Sequence, residues 1–459
     1  MNLYLKNTLT QKKEIFIPLK DKEVSIYVCG VTLYDDIHIG HLKSIVAFEV
    51  MRNYFEAKDF KVKYVRNITD VDDKIIVKAQ NIKTDPLDLV NSYIDKFHAL
   101  LKVLGIREPD VEPRVTEYLK EIGQYITELK EKGFAYETID GVYFDTQKNK
   151  PERYPLSKKI VSDLENKTRL EKEDHVKKHK ADFALWKSDE KYGYKNAVFA
   201  KQGRPGWHIE CSVMHHHTLG EKFDIHGGGR DLIFPHHENE ILQSEAHNGV
   251  NPANYWIHNG MMTKNGKKLS KSEGNSIYVK DILEKYSPEA IKLFLNKGQY
   301  NQSQEYNEEE LNTAQNHWDN FVSNIESYTS LNEVGYLLKQ KVLNALEDDL
   351  NTPVAVSIIY QALKDLKNTH SRQLALEIVE SLKILSVVKK ESDLDSIFSE
   401  WSQAKNAIDI PDDILKLAED RKSFKDLKKF DKADELRKEI EDRGWVIKDT
   451  KKGFSLLKK

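Results

Sequence analysis

The sequence has only two cysteines among 459 residues, Cys29 and Cys211, and 182 positions separate them. Two thiols so far apart, with no Cys-x-x-Cys spacing, do not make a disulfide framework. By themselves they read equally as two buried free thiols. No apolar run approaches the length of a membrane span, and no apolar signal segment follows Met1–Lys6, so the sequence predicts neither membrane nor secretion and points to the cytoplasm. There is also no overall basic excess, the formal net charge being −3. Its distribution matters more than its sum. Residues 421–459 carry 14 Lys/Arg against 8 Asp/Glu, a net of +6, which leaves −9 on the rest. This is a basic module on an acidic body, although a solvated lysine-rich tail has the same composition.

At 39% hydrophobic and 32% charged residues, the chain has the make-up of a globular protein with two to four domains. One stretch organises it. Val24, Ile26 and Val28 alternate with Ser25 and Tyr27 as in a strand that stops at Gly30, which leaves Cys29 at the carboxyl end. In an open parallel sheet that edge binds ligands. His38-Ile-Gly-His41 then opens an amphipathic helix with Ile45, Val46, Phe48, Val50 and Met51, placing both histidines at a helix N-terminus, a setting that favours phosphate. Lys61–Thr69 alternates again, so strand, helix and strand form half of a doubly wound nucleotide-binding sheet, ending in the polar cluster Thr69-Asp-Val-Asp-Asp73. Helices are expected at roughly 85–104 and 112–131, then a hairpin from Phe134 to Asp145, with about 115–200 inserted into the sheet.

A second block repeats the first. Phe223–His226 reads as a short strand, followed by three glycines and by Pro235 as a first helical residue, with His236 and Glu240 four apart on one face. Together with Cys29 and Cys211 they make a plausible zinc set of two sulfurs, one nitrogen and one oxygen. His237 and Asn239 are expected to point elsewhere, and His215-His216-His217 to form a surface turn. Trp256–Met262 reads as a last strand, Thr263-Lys-Asn-Gly266 as a turn, and Lys267–Asn275 as a Lys/Ser/Gly loop able to hold phosphate, or simply to be solvated. Nearly all patterns from 308 to 405 are helical, which predicts a bundle. After Pro411 come two helices at 412–428 and 431–443, a Gly444 stop and a hairpin with Val446, Ile447, Phe454 and Leu456.

Taken together, His38-Ile-Gly-His41, Arg66-Asn-Ile-Thr-Asp-Val-Asp-Asp-Lys74, Gly206-Trp-His-Ile-Glu-Cys211, Asp224-Ile-His-Gly-Gly-Gly229, Phe234-Pro-His-His-Glu-Asn-Glu240, Lys268-Leu-Ser-Lys-Ser272 and Asp349-Leu-Asn-Thr-Pro353 resemble the cysteinyl-tRNA synthetases over the whole chain. Leu269 stands where that family usually has Met, Leu42-Lys43 where Ala-Arg is common, Glu273 where an apolar residue is usual, and Phe430 and Leu456 where Trp is frequent.

The resemblance implies a class I catalytic domain at 1–307, a Rossmann-like α/β sheet with the 115–200 insertion and a phosphate loop at 266–275. A helical bundle at 308–405 and a small α+β anticodon-binding module at 406–459 follow. It implies one Zn2+ on Cys29, Cys211, His236 and Glu240, and ATP with Mg2+ at Gly40, Gly228, Asp231 and Lys271. L-cysteine would sit at Thr69, Trp207 and His226, and tRNA(Cys) would be read by Arg421, Phe430, Asp434, Arg437 and Asp449. A monomer is implied as well. Activating an amino acid on ATP needs positioned donors and cations, the role expected of His38, His41, Lys268 and Lys271. Trp207 reads either as an aromatic wall of the cysteine pocket or as core. Two other functions share parts of this pattern: ligation of cysteine to an amino-sugar, and non-catalytic RNA binding by a zinc-stabilised protein.

Overall fold

The computed structural model describes residues 2–149, 153–159, 176–195, 198, 202–269, 274–330, 337–406, 411–427, 429–450 and 453–458. Of the 115–200 insertion, 160–175 therefore lies outside the described residues, as do 270–273 of the phosphate loop. The chain divides into two compact units, Met1–Leu394 and Asp395–Lys459.

The first unit starts with a hairpin, β1 (Tyr4–Asn7) and β2 (Lys12–Ile15), which had no signal in the sequence pattern. Next come β3 (Glu23–Val28), α1 (Ile39–Ala57) and β4 (Lys61–Arg66), the expected parallel unit, with Ile26 opposite Tyr64. Helix α1 buries Ile39, Leu42, Ile45, Val46, Phe48, Val50, Met51, Tyr54 and Phe55, so it is held by tertiary packing over most of its length. After it come α2 (Asp73–Ile82), which the polar run 69–73 concealed, and then α3 (Pro86–Val103) and α4 (Leu119–Glu131). The insertion builds an antiparallel sheet of its own from β5 (Ala135–Glu137), β6 (Gly141–Phe144), β7 (Phe183–Ser188) and β8 (Gly203–Pro205), in that order.

The chain then returns through α5 (Trp207–Leu219), β9 (Phe223–Gly229), α6 (Glu238–Asn248) and β10 (Ala253–Asn259). The parallel sheet has the order β10-β9-β3-β4. Strand β9 is longer than the four residues expected, because its three glycines pair with Ile257, His258 and Asn259 of β10. Pro235 does not begin a regular helix. Phe234 is extended (φ −133°, ψ 129°), as the residue before a proline prefers, and a wide turn over Ile233–His237 precedes α6.

The strand expected at 256–262 is also two strands. Gly260 packs so tightly on Gln302 that a Cβ would lie 2.1 Å from its carbonyl oxygen. There the chain leaves the sheet and forms β11 (Met262–Lys264), paired with β12 (Lys267–Lys268) and with β13 (Gln304–Glu305). Helices α7 (Val279–Leu283) and α8 (Pro288–Asn296) precede β13, and α9 (Glu308–Val322), α10 (Leu338–Leu346), α11 (Thr352–Thr369) and α12 (Arg372–Ile384) form the bundle. The second unit holds most of α13 (Leu394–Asn406), then α14 (Asp412–Asp426), α15 (Phe430–Asp442), and the hairpin β14 (Trp445–Thr450) and β15 (Gly453–Lys458), close to the sequence expectation. Its small core is Ile414, Ala418, Ile440, Trp445 and Ile447.

Asp349 joins three parts of the first unit. Its carboxylate accepts from the Lys6 N–H, the Tyr300 hydroxyl and the Asn301 amide, each at 2.8 Å. Asp349→Ala should therefore lower stability by about 2–4 kcal/mol, since it strands three donors on two other segments of the chain. The shift in a urea-unfolding midpoint measures this, and Asp349→Asn, which keeps one acceptor oxygen, should lose less.

Candidate active site

A cavity of about 410 Å3 opens at the carboxyl ends of the parallel strands, the edge on which Cys29 and Thr69 were placed by pattern alone. His38 is the N-cap of α1: it is extended (φ −98°, ψ 168°), and its Nδ1 accepts the Gly40 N–H at 3.1 Å. His41 Nδ1 accepts the His38 N–H at 3.3 Å. An Nδ1 that accepts cannot carry the proton, so both neutral rings hold it on Nε2 as a donor. The rings stack at 3.7 Å and 20° and both line the cavity. Gly40 is needed here, because a Cβ would lie 2.9 Å from the His38 ring. Two Nε2 donors thus stand at the positive end of a 19-residue helix.

Opposite them, β11 and β12 are joined through Asn265 and Gly266, both at positive φ (53° and 70°), the two-residue hairpin turn such a pair favours. Lys268 follows, with Nζ 3.3 Å from Asp231 Oδ2, and both residues line the cavity. Lys271 falls outside the described residues. Gly228 lies in β9 opposite His258 of β10.

The four proposed metal ligands converge. Cys29 Sγ is 3.6 Å from Cys211 Sγ, 3.5 Å from His236 Nε2 and 3.5 Å from Glu240 Oε1, and His236 Nε2 is 3.1 Å from Glu240 Oε1. Tetrahedral zinc, with bonds of about 2.3 Å to sulfur and about 2.0–2.2 Å to nitrogen and oxygen, requires ligand–ligand edges of roughly 3.3–3.8 Å. Four of the six edges thus lie near those lengths and all four atoms lie within 4.8 Å of one another, and a sulfur separation of 3.6 Å is far too long for a disulfide.

Without a cation the group is electrostatically awkward. Burial pushes the Cys29 thiol well up, while the hydrogen bond from Cys29 lowers Cys211 to about 6. Burial opposes the charge on His236, but Glu240 and Cys211 hold it at about 10. A divalent cation would neutralise this cluster. His226 and His237 form a second possible set with Cys29 and Glu240. Cys211 and His236 border the cavity, whereas His226 and His237 lie wholly buried beside Glu240, so the first set is the one open to a substrate.

Around this cluster two expectations change. His215-His216-His217 is not a surface turn but the last part of α5, and His215 is buried, edge-on to Tyr27 at 5.6 Å and 3.8 Å from Glu240 Oε2. Burial lowers it to about 3, so it is a neutral ring. A helix spreads three consecutive side chains over most of its circumference, and one of them had to face the sheet. His237 does not point away either. Its Nδ1 is 2.8 Å from His258 Nε2, and His258 Nδ1 is 2.8 Å from Thr8 Oγ1.

Of the residues assigned to cysteine, Thr69 and Trp207 line the cavity. Trp207 is 41% exposed, with its ring 4.4 Å from that of His236, so it is not core. His226 stands behind the cluster, with Nε2 2.9 Å from Glu240 Oε2, and orients that carboxylate. Arg66 and Asn67 also line the cavity. The sequence reading gave them no role, although they belong to the strand-end motif it singled out. Asn67 Oδ1 accepts the Gly30 N–H at 2.8 Å, and Arg66 reaches Glu112 at 3.2 Å.

In the second unit, Phe430 is 58% exposed, and Asp434 and Arg437 are exposed on α15, with Arg437 Nε 3.1 Å from Glu441 Oε1. Arg421 is buried, and the side chain of Asp449 lies outside the described residues.

Residues 15–316 match the family described as tRNA synthetases class I (C) catalytic domain. Cysteine–tRNA ligases of Pyrococcus abyssi (40% identity, 98% of this chain and 97% of that one), Thermococcus gammatolerans (39%, 99% and 98%) and Clostridioides difficile (37%, 97% and 98%) are similar over nearly their full length. Among solved structures, methionyl-tRNA synthetase of Mycobacterium tuberculosis with methionyl-adenylate shares the fold, with a TM-score of 0.59 at 12% identity over 84% of this chain and 96% of that one. The parallel sheet, the histidine pair at the head of α1 and full-length similarity at this level lead to one assignment: the chain belongs to the cysteine–tRNA ligases, within the class I aminoacyl-tRNA synthetases.

Proposed function

We propose that the chain activates L-cysteine with ATP and Mg2+ and transfers it to tRNA(Cys), working as a cytoplasmic monomer. The observation that carries this reading is the close-set cluster Cys29, Cys211, His236 and Glu240, of which the first three line the cavity that also holds the His38–His41 pair.

In activation, a carboxylate oxygen of cysteine attacks the α-phosphorus of ATP, and the bond to the bridging oxygen breaks as pyrophosphate leaves with its electron pair. Negative charge builds on the phosphate oxygens, and the protein's part is to place donors there. His38 and His41 supply Nε2–H groups, the head of α1 adds its dipole, and Lys268 with Lys271 supplies point charges. In transfer, a terminal ribose hydroxyl of the tRNA attacks the carbonyl carbon. An ester C–O bond forms, the bond from that carbon to the phosphate oxygen breaks, and AMP leaves with the hydroxyl's proton taken up by its phosphate.

Serine differs from cysteine only by oxygen for sulfur, and pocket shape alone separates such near-isosteres by only about 1–3 kcal/mol. A zinc ion on the four ligands would supply preference for a thiolate over a hydroxyl. Trp207, beside His236, would cover the substrate, and Thr69 would offer it a hydroxyl from the other side. In the second unit, Phe430 would stack on an unpaired base, and Asp434 and Arg437, three apart on α15, would read base edges, helped by phosphate contacts from the surrounding lysines. Ligation of cysteine to an amino-sugar would leave that unit without a use.

Three outcomes test the reading. Purified protein should carry one zinc per chain by metal analysis and exchange pyrophosphate into ATP with cysteine but not serine; Cys211→Ser should lose both metal and exchange, and a metal-free wild type of full activity would refute the metal assignment. Lys271→Ala should lower kcat of exchange by about two to three powers of ten, the scale of one lost charge-stabilising donor, and an effect confined to the ATP KM would contradict it. Arg437→Ala should leave exchange within about twofold, cost about 1–3 kcal/mol in kcat/KM for charging, and narrow the preference for the cognate anticodon over one-base variants. An equal loss on cognate and variant tRNA would make it a phosphate contact.

A further inference from the structure

The stretch between β3 and α1 carries Asp35 and Asp36, which belong neither to the cavity wall nor to the metal cluster although they lie within three residues of His38. There the chain pairs with the segment that leads into α7. His38 stands opposite Tyr278 in an antiparallel bridge, the Ile39 N–H donates to the Ile277 carbonyl at 2.9 Å, and the Val279 N–H donates to the Ile37 carbonyl at 3.1 Å. Ile37, Ile39 and Val279 are buried, whereas His38 lines the cavity. The direction of the His38 ring is therefore a matter of register. In paired extended backbone a slip of one residue exchanges the two faces, which would turn His38 into the core and an isoleucine into the cavity.

Two backbone hydrogen bonds in an isolated bridge are a marginal hold. Side chains add to it, and Asp35 is their hub. Its Oδ1 accepts the Asp36 N–H at 2.9 Å and stands 3.3 Å from Lys78 Nζ of α2, and its Oδ2 accepts the Tyr278 hydroxyl at 3.3 Å. Lys78 in turn reaches the Tyr93 hydroxyl of α3 at 3.2 Å. Asp36 stands 2.6 Å from Lys280 Nζ, but that lysine is exposed and the pair holds little. Asp35, Lys78 and Tyr278 are only partly exposed, and Asp35 reaches across the bridge to the residue directly opposite His38.

Resting on the function proposed above, we propose that Asp35 is a positioning residue for activation, which holds the bridge through Tyr278 and Lys78 in the register that aims His38 Nε2 at the α-phosphate. It touches no substrate and acts through His38. A donor displaced by about 1 Å loses much of its effect on the reacting phosphate, so the loss of Asp35 falls on the rate of the chemical step more than on substrate binding.

Cysteine-dependent pyrophosphate exchange, measured in a double-mutant cycle, tests this. Asp35→Ala should lower kcat about ten- to thirtyfold, while the cysteine KM and the zinc content stay within about twofold of wild type. Tyr278→Phe, which removes only the hydroxyl, should lower kcat about three- to fivefold and gives a readout even where Asp35→Ala folds poorly. In a His38→Ala background each change should cost less than about twofold, because the group they position is gone. Equal losses with and without the His38 ring would overturn the assignment, since a residue that only supports the fold acts in both backgrounds. An unchanged kcat in both Asp35→Ala and Tyr278→Phe would overturn it too, as would kcat, KM and zinc failing together in Asp35→Ala beside a normal Tyr278→Phe. A wild type without cysteine-dependent exchange would instead refute the function itself.

Discussion

Glu240 is a fully buried carboxylate, and much of the site follows from what must be done with its charge. Burial alone would neutralise it, yet His226 and His236 hold its carboxyl well below the ordinary range. One oxygen faces His226 at 2.9 Å and the other faces His236 at 3.1 Å and Cys29 at 3.5 Å. The carboxylate is therefore pinned from behind by the buried His226 and presented in front to the cluster. A buried charge with this many partners tolerates little displacement, because losing one partner leaves the rest uncompensated.

The four side chains of the cluster come from three places in the chain. Cys29 ends β3, Cys211 lies in the second turn of α5, and His236 and Glu240 straddle the start of α6. Parallel pairing of β3 with β9, Ile26 opposite Ile225, brings the two halves of the sheet into register so that all four meet at one edge. The histidine pair of α1 stands on the same edge for a different reason, being the cap of the crossover helix. A Cys/His/Glu cluster able to hold a metal and a helix head that carries two histidines thus become neighbours through topology, without either depending on the other for its local structure.

The sequence showed the site more clearly than the fold. Two cysteines on strand and helix ends, a His/Glu pair at i, i+4 and a His-x-x-His helix start are local signals, and the structure assembled them as the periodicity implied. What stayed hidden was set by tertiary context. The three-histidine tract looked like surface because composition says nothing about which of three helical neighbours faces the core. Strand β9 was longer than expected because glycines carry no hydrophobic signal. The hairpin expected at Phe134–Asp145 is present as β5 and β6, but the helix at 73–82 and the strands β7 and β8 that complete the insertion's sheet were missed, since β8 is three residues long and β7 follows a Lys- and Glu-rich stretch.

The turn that carries Lys268 has a less obvious anchor. It leaves β11, and β11 pairs with β13 through Met262–Gln304 and Thr263–Glu305. The segment just before β13 is gripped from three sides: Lys43 of α1 donates to the Gln302 carbonyl, Arg230 after the glycine run donates to the Asn301 carbonyl, and Asp349 holds Tyr300 and Asn301. Lys43 is buried, and burial together with Arg230 lowers it to about 8, which makes it an expensive residue to keep as a mere tether. Its position two residues after His41 gives the expense a reason. The helix that presents the histidine donors, the turn that presents Asp231 and the bundle, through Asp349 just ahead of α11, are all fastened to the segment that leads into β13. The His38–His41 pair on one side of the cavity and Lys268 on the other are thereby fastened to one frame.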